Sequence, residues 1–151
     1  MRNDLRFTPS DCYETFPFPL EVSPSFDELG TNFYALRKEI MLANRIGLTQ
    51  LYNRFHDENE ADARIEKLRE MQRELDRLVV EAYGWQDVKL DHGFHEVGYL
   101  SYENKVRYTI CEPARIEILR RLATLNHERY EAQEAAKAAE KEKGNRGRNA
   151  K

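Results

Sequence analysis

The chain has 151 residues, 40% hydrophobic and 34% charged, with a net charge of −3 and two cysteines. That length fits one domain with an ordinary core, and no apolar run approaches the ~20 residues of a membrane span. The start, Met1-Arg2-Asn3-Asp4, lacks the apolar stretch of a signal peptide, and Cys12 with Cys111 is too few for a disulfide framework, which points to a reduced cytoplasmic protein.

Pro9, Pro17, Pro19 and Pro24 all fall within the first 24 residues. Each removes a backbone donor and disfavours helix at the residue before it, so 1–24 is predicted to be an extended arm. Ser10 to Thr15 can make one helical turn, capped by Ser10 or Asp11, before Phe16-Pro17-Phe18-Pro19 runs extended. Such a segment cannot build a core alone, and its aromatics are expected to dock on the helices that follow.

Phe26, Leu29, Phe33, Leu36, Ile40 and Ala43 alternate spacings of three and four, which places them on one helix face. Ser25 with Glu28 predicts a capping box at its start. Gly47 interrupts the pattern, and Leu48, Leu51, Tyr52 and Phe55 resume it, as one kinked helix or as two helices meeting at Gly47. Ile65, Leu68, Met71, Leu75, Leu78, Val79 and Ala82 predict the next helix, stopped by Gly84. In the long loop 85–111, His92-Gly93-Phe94-His95 reads as irregular, while Val106, Tyr108 and Ile110 alternate with Arg107 and Thr109 as a strand. Tyr99, Leu100 and Tyr102 are its expected hairpin partners, across Glu103-Asn104-Lys105. Pro113 suits the first turn of a last helix whose face continues through Ile116, Leu119, Leu122, Ala123, Asn126 and Tyr130. The reading is mainly α: a three- to four-helix bundle over 25–136, with a short β-hairpin and an N-terminal proline-rich arm.

Charge is uneven along this plan. Residues 137–151 carry six basic and two acidic side chains, for +4, leaving −7 on 1–136. Gly144-Asn145-Arg146-Gly147-Arg148-Asn149 offers nothing apolar to bury, so the tail is predicted to be disordered. It serves either as a solubilising end or as a contact to phosphates.

The usual chemical signatures are absent. His92 and His95 form one H-x-x-H in a loop, with His56 and Cys111 elsewhere, and no second close pair completes a zinc pattern. Cys111 precedes a helix whose first turn can lower a thiol pKa, yet a small half-buried residue at a boundary is the simpler reading. Neither G-x-x-x-x-G-K-[ST] nor G-x-G-x-x-G occurs. Basic side chains remain. Arg37, Lys38, Arg45 and Arg54 lie on the first helical stretch, Arg120 and Arg121 on the last, and Arg146 and Arg148 in the tail. They are the candidate contacts to a DNA backbone, with i,i+4 pairing to acidic neighbours as the competing use.

Longer stretches carry a resemblance. Arg6-Phe7-Thr8-Pro9-Ser10-Asp11-Cys12-Tyr13-Glu14-Thr15-Phe16-Pro17-Phe18-Pro19 resembles the FxTFPFP or FPWP segment that follows the target-recognition region of large adenine-specific DNA methyltransferases. These belong to type II restriction-modification and related phage-defence systems. Leu48-Thr49-Gln50-Leu51-Tyr52-Asn53 is similar to their GLTxLYN, and 75–85 resembles their LDxAVxxAYGW. Arg107-Tyr108-Thr109-Ile110 and 122–130 are similar to their RYTI…LLxLNxxRY ending.

The resemblance covers about residues 5–130, with the motifs in the family's order. It implies the helical C-terminal region of such an enzyme, without the upstream S-adenosylmethionine loop and the N-P-P-[YF] motif that holds a flipped adenine. The expected entity is a fragment, a split gene product or a separate subunit, inactive alone. Its expected partners are a catalytic methyltransferase chain or domain and double-stranded DNA, with no membrane. No catalytic, cofactor or metal residue is assigned to this chain, and S-adenosylmethionine is implied only for the full enzyme. Phe16, Phe18, Tyr83 and Trp85 are expected to lock the arm against the bundle. A freestanding helical protein–protein interaction domain with no DNA role is the alternative.

Overall fold

The structure is a computed structural model that describes residues 13–98 and 105–148, with side chains through Lys141. The described residues form helices α1 (Pro24–Asn44), α2 (Leu48–Phe55), α3 (Ala63–Ala82) and α4 (Glu112–Arg148), and strands β1 (Gly93–Glu96) and β2 (Val106–Thr109). The expected helical fold with a short antiparallel hairpin is what the chain adopts. Contacts divide it into two units, Pro19–Glu117 and a second made of Met1–Phe18 with Ile118–Lys151.

In the first unit, Ile40 of α1, Leu51 of α2, and Ile65 and Leu68 of α3 are fully buried and meet Phe55 and Tyr108 in one core. Each such aliphatic side chain contributes about 2 kcal/mol through burial. Phe33, Leu36, Met41, Ile46, Tyr52 and Phe94 pack around it. The α3 stripe is buried at Ile65, Leu68, Met71 and Leu78, but Val80 rather than Val79 completes it, and Val79 is exposed.

Helix ends follow local chemistry. α1 is capped by Ser23, whose hydroxyl accepts from the Ser25 amide at 3.4 Å, so the expected box on Ser25 gives way to a cap two residues earlier with Pro24 at the helix entry. It ends at Arg45, whose φ of 53° is left-handed, with Arg45 N bonded to Leu42 O and Ile46 N to Met41 O. The same pattern closes α3, where Gly84 takes φ 73°, Gly84 N donates to Glu81 O and Trp85 N to Val80 O. Both are Schellman motifs, and only the second has the glycine that the geometry favours. Gly47 therefore separates two helices, and is the N-cap of α2.

The hairpin differs from expectation in its first strand. β2 pairs antiparallel with Gly93–Glu96, in the register Phe94 opposite Tyr108 and Glu96 opposite Val106. The stretch read as irregular is thus a strand, held by its partner and not by its own composition. The partners expected at 99–102 lie outside the described residues.

α4 also departs from its reading. Ala114 in its first turn is buried, whereas Ile116, Leu119 and Tyr130 on the expected core face are 54%, 51% and 60% exposed. The helix continues to Arg148, through the segment whose composition predicts disorder. Its alanine, glutamate and lysine residues propagate helix well, with an ion pair from Lys137 to Glu134 at 2.8 Å.

Candidate functional site: a polar groove between helix α2 and strand β2

Helix α2 has two stripes. Leu48, Leu51 and Phe55 lie on the apolar one, while Thr49, Tyr52, Asn53 and the C-capping His56 recur at spacings of three and four on another. That polar stripe, the loop residues Asp57, Glu58 and Asn59, and Val106 and Arg107 of β2 line a solvent-open groove of about 500 Å³.

The β2 wall has a specific backbone chemistry. Val97 N donates to Lys105 O at 3.0 Å, so hydrogen-bonded pairs alternate from there along the hairpin. Tyr108 and Val106 then direct their backbone groups away from β1, toward an open edge. Two of those groups are covered. Tyr108 N donates to His56 Nδ1 at 3.2 Å, and Val106 O accepts from Arg107 at 2.7 Å. An edge blunted in this way resists pairing with another strand.

The Tyr108 contact fixes His56. An Nδ1 that accepts must be unprotonated, so Nε2 carries the hydrogen and the ring is neutral. Burial, and then the charges of Arg107 and Arg69, hold its pKa below the usual 6.5.

Arg69 supports the groove from beneath. It is buried, at 3% exposure, and donates to Phe55 O at 3.0 Å, Arg54 O at 3.3 Å and Asp57 O at 2.7 Å. These carbonyls sit at the C-terminal end of α2 and just beyond, where Arg54 O and Asp57 O also accept the amides of Asp57 and Glu60 and Phe55 O is the one that a helix end leaves to a side chain. The guanidinium also pairs with Glu66 at 3.1 Å and lies over the Phe94 and Tyr108 rings. One side chain thus ties α2, the following loop and the hairpin to α3.

Arg54 performs the same task at the loop. Its guanidinium engages Glu60 through two bonds, at 2.6 and 3.1 Å, and Asp62 at 3.2 Å. Asp62 in turn caps α3 by accepting from Arg64 N at 2.9 Å and pairs with the Arg64 side chain. Bonds from Arg64 and Arg54 hold the Asp62 carboxyl well below the usual carboxylate range, and Arg54 lowers that of Glu60.

A second cavity, of about 430 Å³, is lined by Arg73, Arg77 and His92 among others. Its cations are committed: Arg73 to the Tyr108 hydroxyl and Glu66, Arg77 to Glu74 and Glu81, and His92 to Asp76.

The candidate DNA contacts fare differently. Arg54 is half-buried and pairs with two carboxylates, Glu60 and Asp62. Arg37 lies over the Tyr34 ring, Lys38 is exposed on α1, and Arg45 is exposed at the end of that helix. Arg120 is exposed and Arg121 half-buried on α4, which also contains Arg146 and Arg148, whose side chains lie outside those described.

The aromatic candidates pair locally. Phe16 and Phe18 stand edge to face at 4.8 Å, Tyr13 joins Phe18, and Arg129 donates to Phe18 O at 2.7 Å. Tyr83 and Trp85 stack at 4.5 Å. Sequence reasoning passed over Arg69 and the His56–Tyr108 contact. Arg69 follows Ile65 by four residues, which places it on the apolar stripe and is the signal that could have revealed it.

Among the described residues no group of three or more His, Cys, Asp or Glu side chains is placed to hold a metal ion. No helix among them is long and apolar enough to cross a membrane. In comparisons with protein-family models, curated proteins and solved structures, nothing matches this chain.

Proposed function

We propose that the chain is the helical C-terminal module of an adenine-specific DNA methyltransferase of a restriction-modification or phage-defence system. It works in the cytoplasm beside a catalytic chain or domain, and it transfers no methyl group itself. One observation carries this reading. Thr49, Tyr52 and Asn53, from the stretch similar to GLTxLYN, line the same groove as Arg107, from the stretch similar to RYTI. Two of the words that define the resemblance, distant in sequence, therefore belong to one surface.

The division of labour follows from what the chain contains. It has no glycine-rich cofactor loop and no N-P-P-[YF] motif, so S-adenosylmethionine and the target adenine belong to the catalytic part. This chain supplies a braced helical body, with Arg37, Lys38, Arg45, Arg120, Arg121, Arg146 and Arg148 as the residues that support DNA backbone contact. Each phosphate contact adds salt-dependent affinity.

The test is reconstitution with a chain carrying N-P-P-[YF]. Methylation of adenine in DNA is expected only when both chains are present, together with a stable complex between them. Methyl transfer by this chain alone sinks the reading. A complex with an unrelated protein, and no DNA binding even at low salt, replaces it with the protein–protein interaction domain.

A further inference from the structure

We propose that the groove between α2 and β2 is a subsite for one unstacked nucleotide. The inference deepens the reading of the chain as part of a DNA-modifying assembly and rests on it.

The lining fits a base better than any other class of ligand. Thr49, Tyr52, Asn53, His56 and Asn59 are neutral and polar, and Val106 is the one aliphatic residue among those that line the groove. A base presents a π-face and an edge of fixed donors and acceptors. The half-buried Tyr52 ring offers a stacking surface for the first. The exposed Asn53 amide offers a donor and an acceptor in one plane for the second, the arrangement that pairs with a purine edge. His56 adds a donor, because the Tyr108 amide fixes its hydrogen on Nε2. Arg107, which donates to Val106 O, sets a positive charge at the β2 wall.

Other occupants fit less well. An extended peptide would add to the open edge of β2, but His56 and Arg107 cover Tyr108 N and Val106 O there. A continuous run of phosphates would pass Asp57 and Glu58, which repel it. An apolar helix finds almost nothing to bury against. The volume, about 500 Å³, falls within the range of small-molecule sites.

The experiment is an amide NMR titration of the intact chain with dAMP, dCMP, dGMP and TMP, with inorganic phosphate and a short extended peptide as controls. Saturable shifts at Thr49, Tyr52, Asn53 and Arg107 are expected with at least one nucleotide. Asn53→Asp and Thr49→Val, both at exposed positions, should weaken binding about tenfold, while Lys67→Ala on α3 should change nothing. Equal binding of inorganic phosphate, shifts with the peptide alone, or no saturable shift at millimolar nucleotide each overturns the proposal. Complex formation with a catalytic chain is scored separately in the same variants. No nucleotide binding by the unmutated chain, or undiminished binding by both variants, with the complex intact rejects the subsite alone, and an absent complex rejects the broader reading.

Discussion

The Tyr108 backbone amide donates to the Nδ1 atom of His56, 52 residues away in the chain, at 3.2 Å. This bond joins the C-cap of α2 to the open edge of β2 and makes the two groove walls one structure. It also exists in only one protonation state of the imidazole.

A pH dependence follows. The pKa of His56 in the folded chain is below the unfolded value of 6.5, so between the two values the unfolded chain binds more protons. Stability is therefore complete above about pH 6.5 and declines as the pH falls toward the folded value. Urea unfolding from pH 7.5 downward should show this slope. His56→Asn, whose amide oxygen can accept in place of Nδ1, should flatten it.

Arg69 is expected to be the most sensitive polar position. Arg69→Met leaves the Phe55 carbonyl without its donor and takes the side-chain bonds from Arg54 O and Asp57 O, which keep the amides of Asp57 and Glu60, and should destabilise the fold by about 2 kcal/mol. Arg69→Lys should rescue little, because a single ammonium cannot span the same set of acceptors. Denaturant midpoints measure both.

Asp62→Ala removes the cap of α3 and one partner of Arg54, a loss of about 1–2 kcal/mol at neutral pH. Because the native carboxyl titrates below its unfolded value of 3.8, its contribution is present above that value and fades as the pH falls through the folded one. Acid unfolding curves of variant and wild type should converge accordingly.

Two helix ends with one geometry invite opposite substitutions. Arg45→Gly relieves a left-handed backbone at a non-glycine residue and should stabilise by up to about 1 kcal/mol, whereas Gly84→Ala should cost about as much. A shift in Tm of several degrees in each direction is the expected reading.

DNA binding, measured against salt, separates the arginines. Arg54→Gln should leave the salt slope unchanged apart from any loss of stability, since two carboxylates already neutralise that side chain. Removing Arg146 and Arg148 together should reduce the slope by about two contacts.

Periodicity made most of the helices legible. The spacing through Ile65, Leu68, Met71 and Leu78 and the stop at Gly84 are visible in the residues alone, because both are local. β1 was not visible. Gly93 and His95 have weak strand preferences, and only pairing with β2 makes that stretch extended. The groove was half visible: its polar residues lie in words the sequence displays, but their convergence with Arg107 depends on the turn of the chain through the hairpin. The ion pairs of Arg54 were not legible, because its partners lie six and eight residues on, beyond the i,i+4 reach of a helix-surface rule.

The bonds from Arg69 to the carbonyls of α2 involve no imidazole. Acidification therefore attacks only one side of the groove. The α2 wall stays clamped to α3 through its carbonyls, while the β2 wall loses the imidazole that latches it. Mild acid should thus open the groove before the core melts, as a local event in the hairpin that amide exchange at Tyr108 would register ahead of any change at Leu68.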